Sequence, residues 1–281
     1  MTAPTASARL EFEGIELAYD VAGDPDAAGL VVLLPGMGDL RSAYRHLTPL
    51  LVAQGLRVAA LDLPGHGDSG VSPVPVSQTQ IARSAAALVE LLGGPTIVVG
   101  HSFTPDSALL ASQLAPEQVV GAVAIGPWAT TPRQAWPMRA LSRLVASTPS
   151  LWSLFYRSLH KAPPADLAEH RRRIVASLRR PGGTEALVTM AAGTTKDAVG
   201  ARASQLAPVA IVMGDADPDF RDPSAEAQTY ADAVSGTAAD VAVHMVAGAG
   251  HYPHGERPAE TAEAVLALAR RVGLALGAPR A

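Results

Sequence analysis

Three observations predict an α/β protein with a mostly parallel, twisted sheet, helices on both its faces and a four-helix insertion. Short apolar runs alternate with segments of helical period, the alternation breaks once between 129 and 206, and nearly half of the 281 residues are apolar. Such alternation implies βαβ units around a parallel sheet, and a chain this long and apolar can bury a large core.

Along the chain, residues 9–21 read as two short strands around Glu13-Gly14. Apolar runs at 30–35, 57–63, 96–100, 119–125, 209–213 and 241–247 have the length of buried strands. Between and after them, helical patterns are expected at 40–54, 77–92, 103–114, 223–235 and 257–275. From 129 to 206 no strand pattern appears. Helices near 132–147, 150–161, 164–180 and 184–204 are separated there by Thr148-Pro149, Pro163-Pro164 and Pro181-Gly182-Gly183. The expected organisation is a core of 1–128 plus 207–281 and a helical lid of 129–206. The lid region holds or adjoins Trp128, Trp136, Trp152, Phe155 and Tyr156, which either form its own small core or line an apolar pocket.

Composition removes several classes of function. A net charge of -4 leaves no general excess of Lys and Arg for nucleic acid or an acidic membrane, and the run Arg171-Arg172-Arg173 reads as a solvated helix face. The absence of cysteine excludes disulfides, thiolate metal sites and a cysteine nucleophile. With no basic-then-apolar leader pattern at the N-terminus and no apolar run of about 18 residues, a soluble cytoplasmic protein is expected. Oligomeric state has no signature in the sequence.

Reactive groups in a parallel sheet gather at the carboxyl ends of strands. The run ending at Gly100 leads into His101-Ser102-Phe103-Thr104, a sharp strand-to-helix turn that matches G-x-S-x-G except at its last position. Earlier run ends carry Pro35-Gly36-Met37-Gly38-Asp39 and the turn-rich stretch Asp62 to Ser69. Later ones carry Gly214-Asp215-Ala216-Asp217-Pro218 and Gly248-Ala249-Gly250-His251. A serine hydroxyl needs a base within reach, and the base needs an orienting group. Ser102, His251 and an aspartate after Gly214 can supply all three, with Asp215 and Asp219 flanking Asp217 as residues that could solvate the turn or cap the next helix.

In these motifs, and over essentially its whole length, the chain resembles the α/β-hydrolase fold family, whose members order a triad as Ser, acid, His. The resemblance implies Ser102 as nucleophile, His251 as general base and then acid, and Asp217 as the residue holding the imidazole. It further implies an oxyanion hole from the backbone N–H groups of Met37 and Phe103, no cofactor and no metal. Asp62 and His66 fall in a loop that shapes the site without reacting. His254 follows His251 by three residues, but no third ligand accompanies the pair. Gly36-Met37-Gly38 fails as a dinucleotide fingerprint because Arg41 stands at the third glycine position.

Two departures from the family pattern stand out. Pro35-Gly36 replaces the usual His-Gly, and Thr104-Pro105 replaces the small residues after the nucleophile, with Asp106 in the same turn. Thr104 is expected to shift the elbow or offer a third oxyanion contact. The expected activity is cleavage of an ester, lactone or related carbonyl bond in a small apolar molecule, with the lid aromatics against the substrate. An aspartate at the elbow would mark the epoxide-hydrolase or dehalogenase branch; Ser102 stands there instead. The competing expectations are a ligand receptor or signalling partner, and a cyclase or lyase that relies on His251 and Asp217 more than on Ser102.

Overall fold

The computed structural model describes residues 6–130, 136–193, 207–236 and 240–277. Eight strands form one sheet: β1 (Ala6–Phe12), β2 (Ile15–Ala22), β3 (Leu30–Leu34), β4 (Arg57–Leu61), β5 (Thr96–His101), β6 (Val119–Ile125), β7 (Val209–Gly214) and β8 (Val241–Val246). Their order is β1-β2-β4-β3-β5-β6-β7-β8, with β1-β2 and β2-β4 antiparallel and the remaining pairs parallel. The expected fold is therefore present. The order turns back on itself at β3, and in open α/β sheets ligands bind beyond the strand carboxyl ends at such a point.

Local sequence explains the strands. The β1–β2 hairpin closes through Glu13 (φ 51°) and Gly14 (φ 75°), and two left-handed residues suit the right-handed twist of a two-residue hairpin. The inner strands β3, β5 and β7 are buried along their full length, whereas the edge strands β1 and β8 alternate. Period-2 geometry divides β3 between the faces. Leu30, Val32 and Leu34 pack on one face with α2 (Gln78–Leu92), α3 (Pro105–Leu114) and α8 (Pro223–Ser235). Val31 and Leu33 pack on the other with α1 (Thr48–Ala53) and α10 (Pro258–Arg271).

The helix expected over 40–54 is instead a 3₁₀ turn at Arg41–Tyr44 followed by α1. Pro49 has no N–H to bond the Arg45 carbonyl and its ring would clash with it, so a helix can only restart with Pro49 in its first turn. The pattern over 257–275 likewise becomes the short α9 (Pro253–Glu256) and then α10, which ends before Gly273 at φ 71°.

Between β6 and β7 lie α4 (Trp136–Ser147), α5 (Pro149–Ser158), α6 (Leu167–Leu178) and α7 (Gly183–Ala192). The start of the first expected insertion helix and the end of the last, at 194–204, fall outside the described residues. A third apolar cluster, including Trp152, Tyr156, Ile174 and Leu187, joins this insertion to Leu40 and Tyr252 of the core. No helix among the described residues is long and apolar enough to cross a membrane.

Candidate active site

The strand-to-helix turn after β5 is built around strain and close approach. Ser102 sits at φ 58°, and among the described residues only Glu13 shares that region without being glycine. Such a backbone costs about 1–3 kcal/mol and persists where the surroundings over-determine it. Here the Ser102 N–H donates to the Ile125 carbonyl at 2.8 Å, and a Cβ on Gly100 would lie 2.2 Å from the Thr104 carbonyl oxygen. Gly100 is thus fixed by packing, and the position that departs from the motif, Thr104, is free to carry a side chain.

That side chain is fully buried and occupied. The Thr104 hydroxyl accepts from the His101 N–H at 2.9 Å and donates toward the Leu34 carbonyl, also at 2.9 Å. It ties the end of β3 to the elbow. With its proton and an acceptor site both engaged, it offers no third oxyanion contact, which corrects that expectation. Behind the elbow, Asp106 is buried and accepts from Gln78 Nε2 at 3.2 Å and from the Tyr230 hydroxyl at 2.9 Å.

The structure brings His251 and Asp217 together from the loops after β8 and β7. His251 Nδ1 donates to Asp217 Oδ2 at 2.7 Å, and both residues are buried. The backbone of His251 is held from the insertion, its N–H donating to the Leu159 carbonyl at 3.0 Å. On the other side of the ring, Asp219 Oδ2 lies 3.6 Å from Nε2, which has no hydrogen-bond partner among the described residues. Burial alone lowers an imidazole, but the carboxylates of Asp217 and Asp219 outweigh it and raise His251 to about 9. Asp215 instead accepts from the Gly248 N–H, and Asp222 caps α8, so neither turn solvation nor helix capping falls to Asp219.

His101 packs beside this ring at 5.0 Å between centroids and donates from Nε2 to the His251 carbonyl at 2.8 Å. Burial, with His251 close by, pushes His101 down to about 3, so it is a neutral prop. His254 is likewise lowered by burial and packs against Tyr44 and His101. The described group with three potential metal-ligand atoms within 4.8 Å is Asp217, Asp219 and His251, without His254.

The turn carrying Met37 lies against the elbow: a Cβ on Gly36 would come 3.2 Å from Ser102 Cβ. Among the described residues, neither the Met37 N–H nor the Phe103 N–H is spent on an acceptor. The insertion holds this turn. Trp152 Nε1 donates to the Gly38 carbonyl at 3.1 Å, the Tyr156 hydroxyl to Asp39 Oδ2 at 3.0 Å, and His170 Nε2 to Asp39 Oδ1 at 2.8 Å. Gly38, at φ 68°, has no room for a Cβ, which would meet the Trp152 ring at 2.5 Å. Beneath lies a scaffold: Asp62 is buried, accepts from the Asp68 N–H and pairs with Arg41, while His66 donates to the Pro64 carbonyl.

The chain matches the profile of the alpha/beta hydrolase family over residues 31–264. It belongs to the alpha/beta hydrolase family. This hydrolase-family chain is 30% identical over 203 residues to Epoxide hydrolase A of Mycobacterium tuberculosis, covering 68% of this chain and 61% of that protein. It is 35% identical over 96 residues to the Monoacylglycerol lipase of Mycolicibacterium smegmatis, covering 32% of this chain and 34% of that one. The matches thus span less than two thirds of either relative. Among solved structures, a thermophilic esterase from Thermogutta terrifontis superposes with a TM-score of 0.77 at 21% identity, covering 95% of this chain and 99% of that chain. At that identity the likeness concerns the fold.

Within this alpha/beta hydrolase the expected aromatic residues separate. Trp128 is half-buried and packs edge-on against Phe220 at 5.0 Å, and Phe220 lies 6.3 Å from the His251 ring. Trp152 and Tyr156 are buried props under the Met37 turn, Phe155 is 39% exposed, and Trp136, at 80%, faces solvent. Sequence reasoning missed Phe220, Asp39, His170, Gln78 and Tyr230 as neighbours of the site. Phe220 follows Asp217 by three residues and Asp39 follows Met37 by two, so both were within reach of the motifs; His170, Gln78 and Tyr230 come from distant segments and carried no local signal.

Proposed function

We propose that this chain is a cofactor-independent serine hydrolase that cleaves an ester, lactone or related carbonyl bond of a small apolar molecule through an acyl-enzyme. The observation that carries the reading is the Ser102 backbone at φ 58° on a strand-to-helix turn, with His251 held by Asp217 at 2.7 Å in a neighbouring loop. Strain of this kind marks a side chain that must stand clear of its backbone. In this reading Ser102 Oγ attacks the carbonyl carbon as its proton passes to His251 Nε2. The oxyanion is stabilised by the Met37 and Phe103 N–H groups. The Nε2 proton then goes to the leaving oxygen, and a water activated by the same nitrogen hydrolyses the acyl-enzyme.

Likeness to an epoxide hydrolase does not favour epoxide opening here, because the elbow residue is a serine. The helices α4–α7 act as the lid, and Met37, Phe103, Trp128 and Phe220 form the apolar walls. Trp152 and Tyr156 contribute through the turn they support. A fluorophosphonate probe should label the wild type at Ser102 and leave Ser102→Ala blank. Ester turnover should fall by about 10⁴-fold or more in that variant. A folded wild-type protein that resists the probe across pH 7 to about 10 would overturn the reading. An ester panel of graded acyl length should show rates rising with apolar bulk, and a flat panel would remove the apolar pocket from it.

A further inference from the structure

Two carboxylates face the imidazole of His251 from one tight turn. Asp217 accepts twice, from His251 Nδ1 through Oδ2 at 2.7 Å and from the Asp219 N–H through Oδ1 at 2.9 Å. The second bond fixes where Asp219 stands. Its carboxylate lies 3.6 Å from Nε2, and its side chain is only 16% exposed, so little water screens the pair. Among the described residues His251 is the only charged partner within ion-pair distance of Asp219. Nε2 itself is buried and, among the described residues, neither accepts nor donates a hydrogen bond, to Ser102 or to any other.

The other groups around the ring do not compete for that nitrogen. Asp217 is on the Nδ1 side, and Glu256 of α9, whose charge also favours the imidazolium, accepts through Oε2 from the N–H groups of Lys161, Ala162 and Gly250. His101 of the elbow, His254 of α9 and His160 of the insertion are held in the uncharged form by burial. Phe220 and Tyr252 contribute ring faces and edges.

Ser102 can lose its proton only to an Nε2 that carries none. We propose that Asp219 is a second, competing partner of the catalytic imidazole, retaining the Nε2 proton and yielding it when a hydrogen-bond donor on the substrate engages the carboxylate. The substrate class follows: a carbonyl compound with a hydroxyl or ammonium group beside the scissile bond. In the cycle, that donor bonds Asp219, the Nε2 proton leaves to solvent, and the freed nitrogen accepts the Ser102 proton as Oγ adds to the carbonyl. The inference rests on the serine-hydrolase reading, in which His251 is the base. The rise of His251 to about 9, with Asp219 among its causes, agrees with the geometry.

Two measurements on the full chain test it. NMR titration of the His251 imidazole reads the pair without catalysis: the midpoint should lie near 9 in the wild type and in Asp219→Glu, and fall by about one unit or more in Asp219→Asn. A midpoint in Asp219→Asn within about 0.3 unit of the wild type overturns the proposal. In kinetics, the acid limb of kcat/KM for an ester without a donor should move down by the same amount, since the limb follows the free-base fraction. One unit corresponds to about ten times more free base at pH 7. At pH 7 the wild type should prefer an ester with a neighbouring hydroxyl over its deoxy analogue by about tenfold, and Asp219→Asn should lose that preference. Equal preference in both proteins removes the substrate part. If Ser102 resists the fluorophosphonate while the NMR midpoint still moves, the serine-hydrolase reading fails and the Asp219–His251 pair stands. If turnover persists and the midpoint stays, the reverse holds.

Discussion

Thr104 illustrates how a single departure from a motif is absorbed. Its hydroxyl replaces nothing catalytic; it joins the His101 N–H to the Leu34 carbonyl and so locks the elbow to the end of β3. Thr104→Val keeps the shape and strands both groups in a fully buried place. A stability loss of about 1–3 kcal/mol is expected in urea melts, with Thr104→Ser restoring most of it. Unchanged melts in the valine variant would show that water or a shifted backbone satisfies both groups. The motif signalled that position 104 was unusual, because a G-x-S-x-G frame was visibly broken there. What the hydroxyl does could not be read, since Leu34 lies 70 positions away in sequence and the contact exists only after β3 and β5 pair. Asp219 belongs to the same category. Its place two residues after Asp217 was plain, while its approach to Nε2 depends on β8 delivering His251.

At the scale of elements, the insertion supports the candidate site. Trp152, Tyr156 and His170, from α5 and α6, each donate a hydrogen bond to the Gly38-Asp39 part of the turn that carries Met37. In the proposed mechanism this fixes the direction of the Met37 N–H. Trp152→Phe should therefore lower kcat for a small ester about tenfold with KM little changed; a shift confined to KM would show that Trp152 touches substrate instead. Asp39→Ala would strand the Leu40 N–H, the Tyr156 hydroxyl and the His170 imidazole together. A loss of about 3–5 kcal/mol in denaturant unfolding is expected, and a loss under about 1 kcal/mol would mean the clasp is dispensable. Strand and helix positions were legible because period-2 and 3.6-residue patterns are local. The break of 40–54 at Pro49 was also local, and proline chemistry explains it.

For the whole molecule, buried ionisable groups set opposite demands on pH. His251 is raised in the folded state from its ordinary 6.5 to about 9, so its contribution to stability is complete below 6.5 and is lost as pH rises through 9. Asp39 is lowered in the folded state: burial opposes this, but His170 and the Leu40 N–H prevail. Its contribution is therefore present above its ordinary 3.8 and lost as pH falls. Catalysis in the proposed scheme needs His251 uncharged and so gains as pH rises toward 9. Thermal unfolding across pH should place maximal stability near 6.5, because His101, His160 and His254, held uncharged by burial, cost stability as pH falls below that value, and kcat/KM should peak well on its alkaline side. Coincident optima would show that His251 is not the base. Sequence alone determined the sheet, because strands and turns rest on short-range patterns of hydrophobic period and turn chemistry, and its resemblance to the α/β-hydrolase family singled out the candidate triad residues among those just after strands. Tertiary structure decided which aspartate holds His251 on which side, what Thr104 bonds, and that insertion aromatics prop the Met37 turn while Trp136 faces solvent. Those facts depend on side chains from separate segments meeting in one buried place, where low exposure turns a few tenths of a nanometre into a choice of proton position.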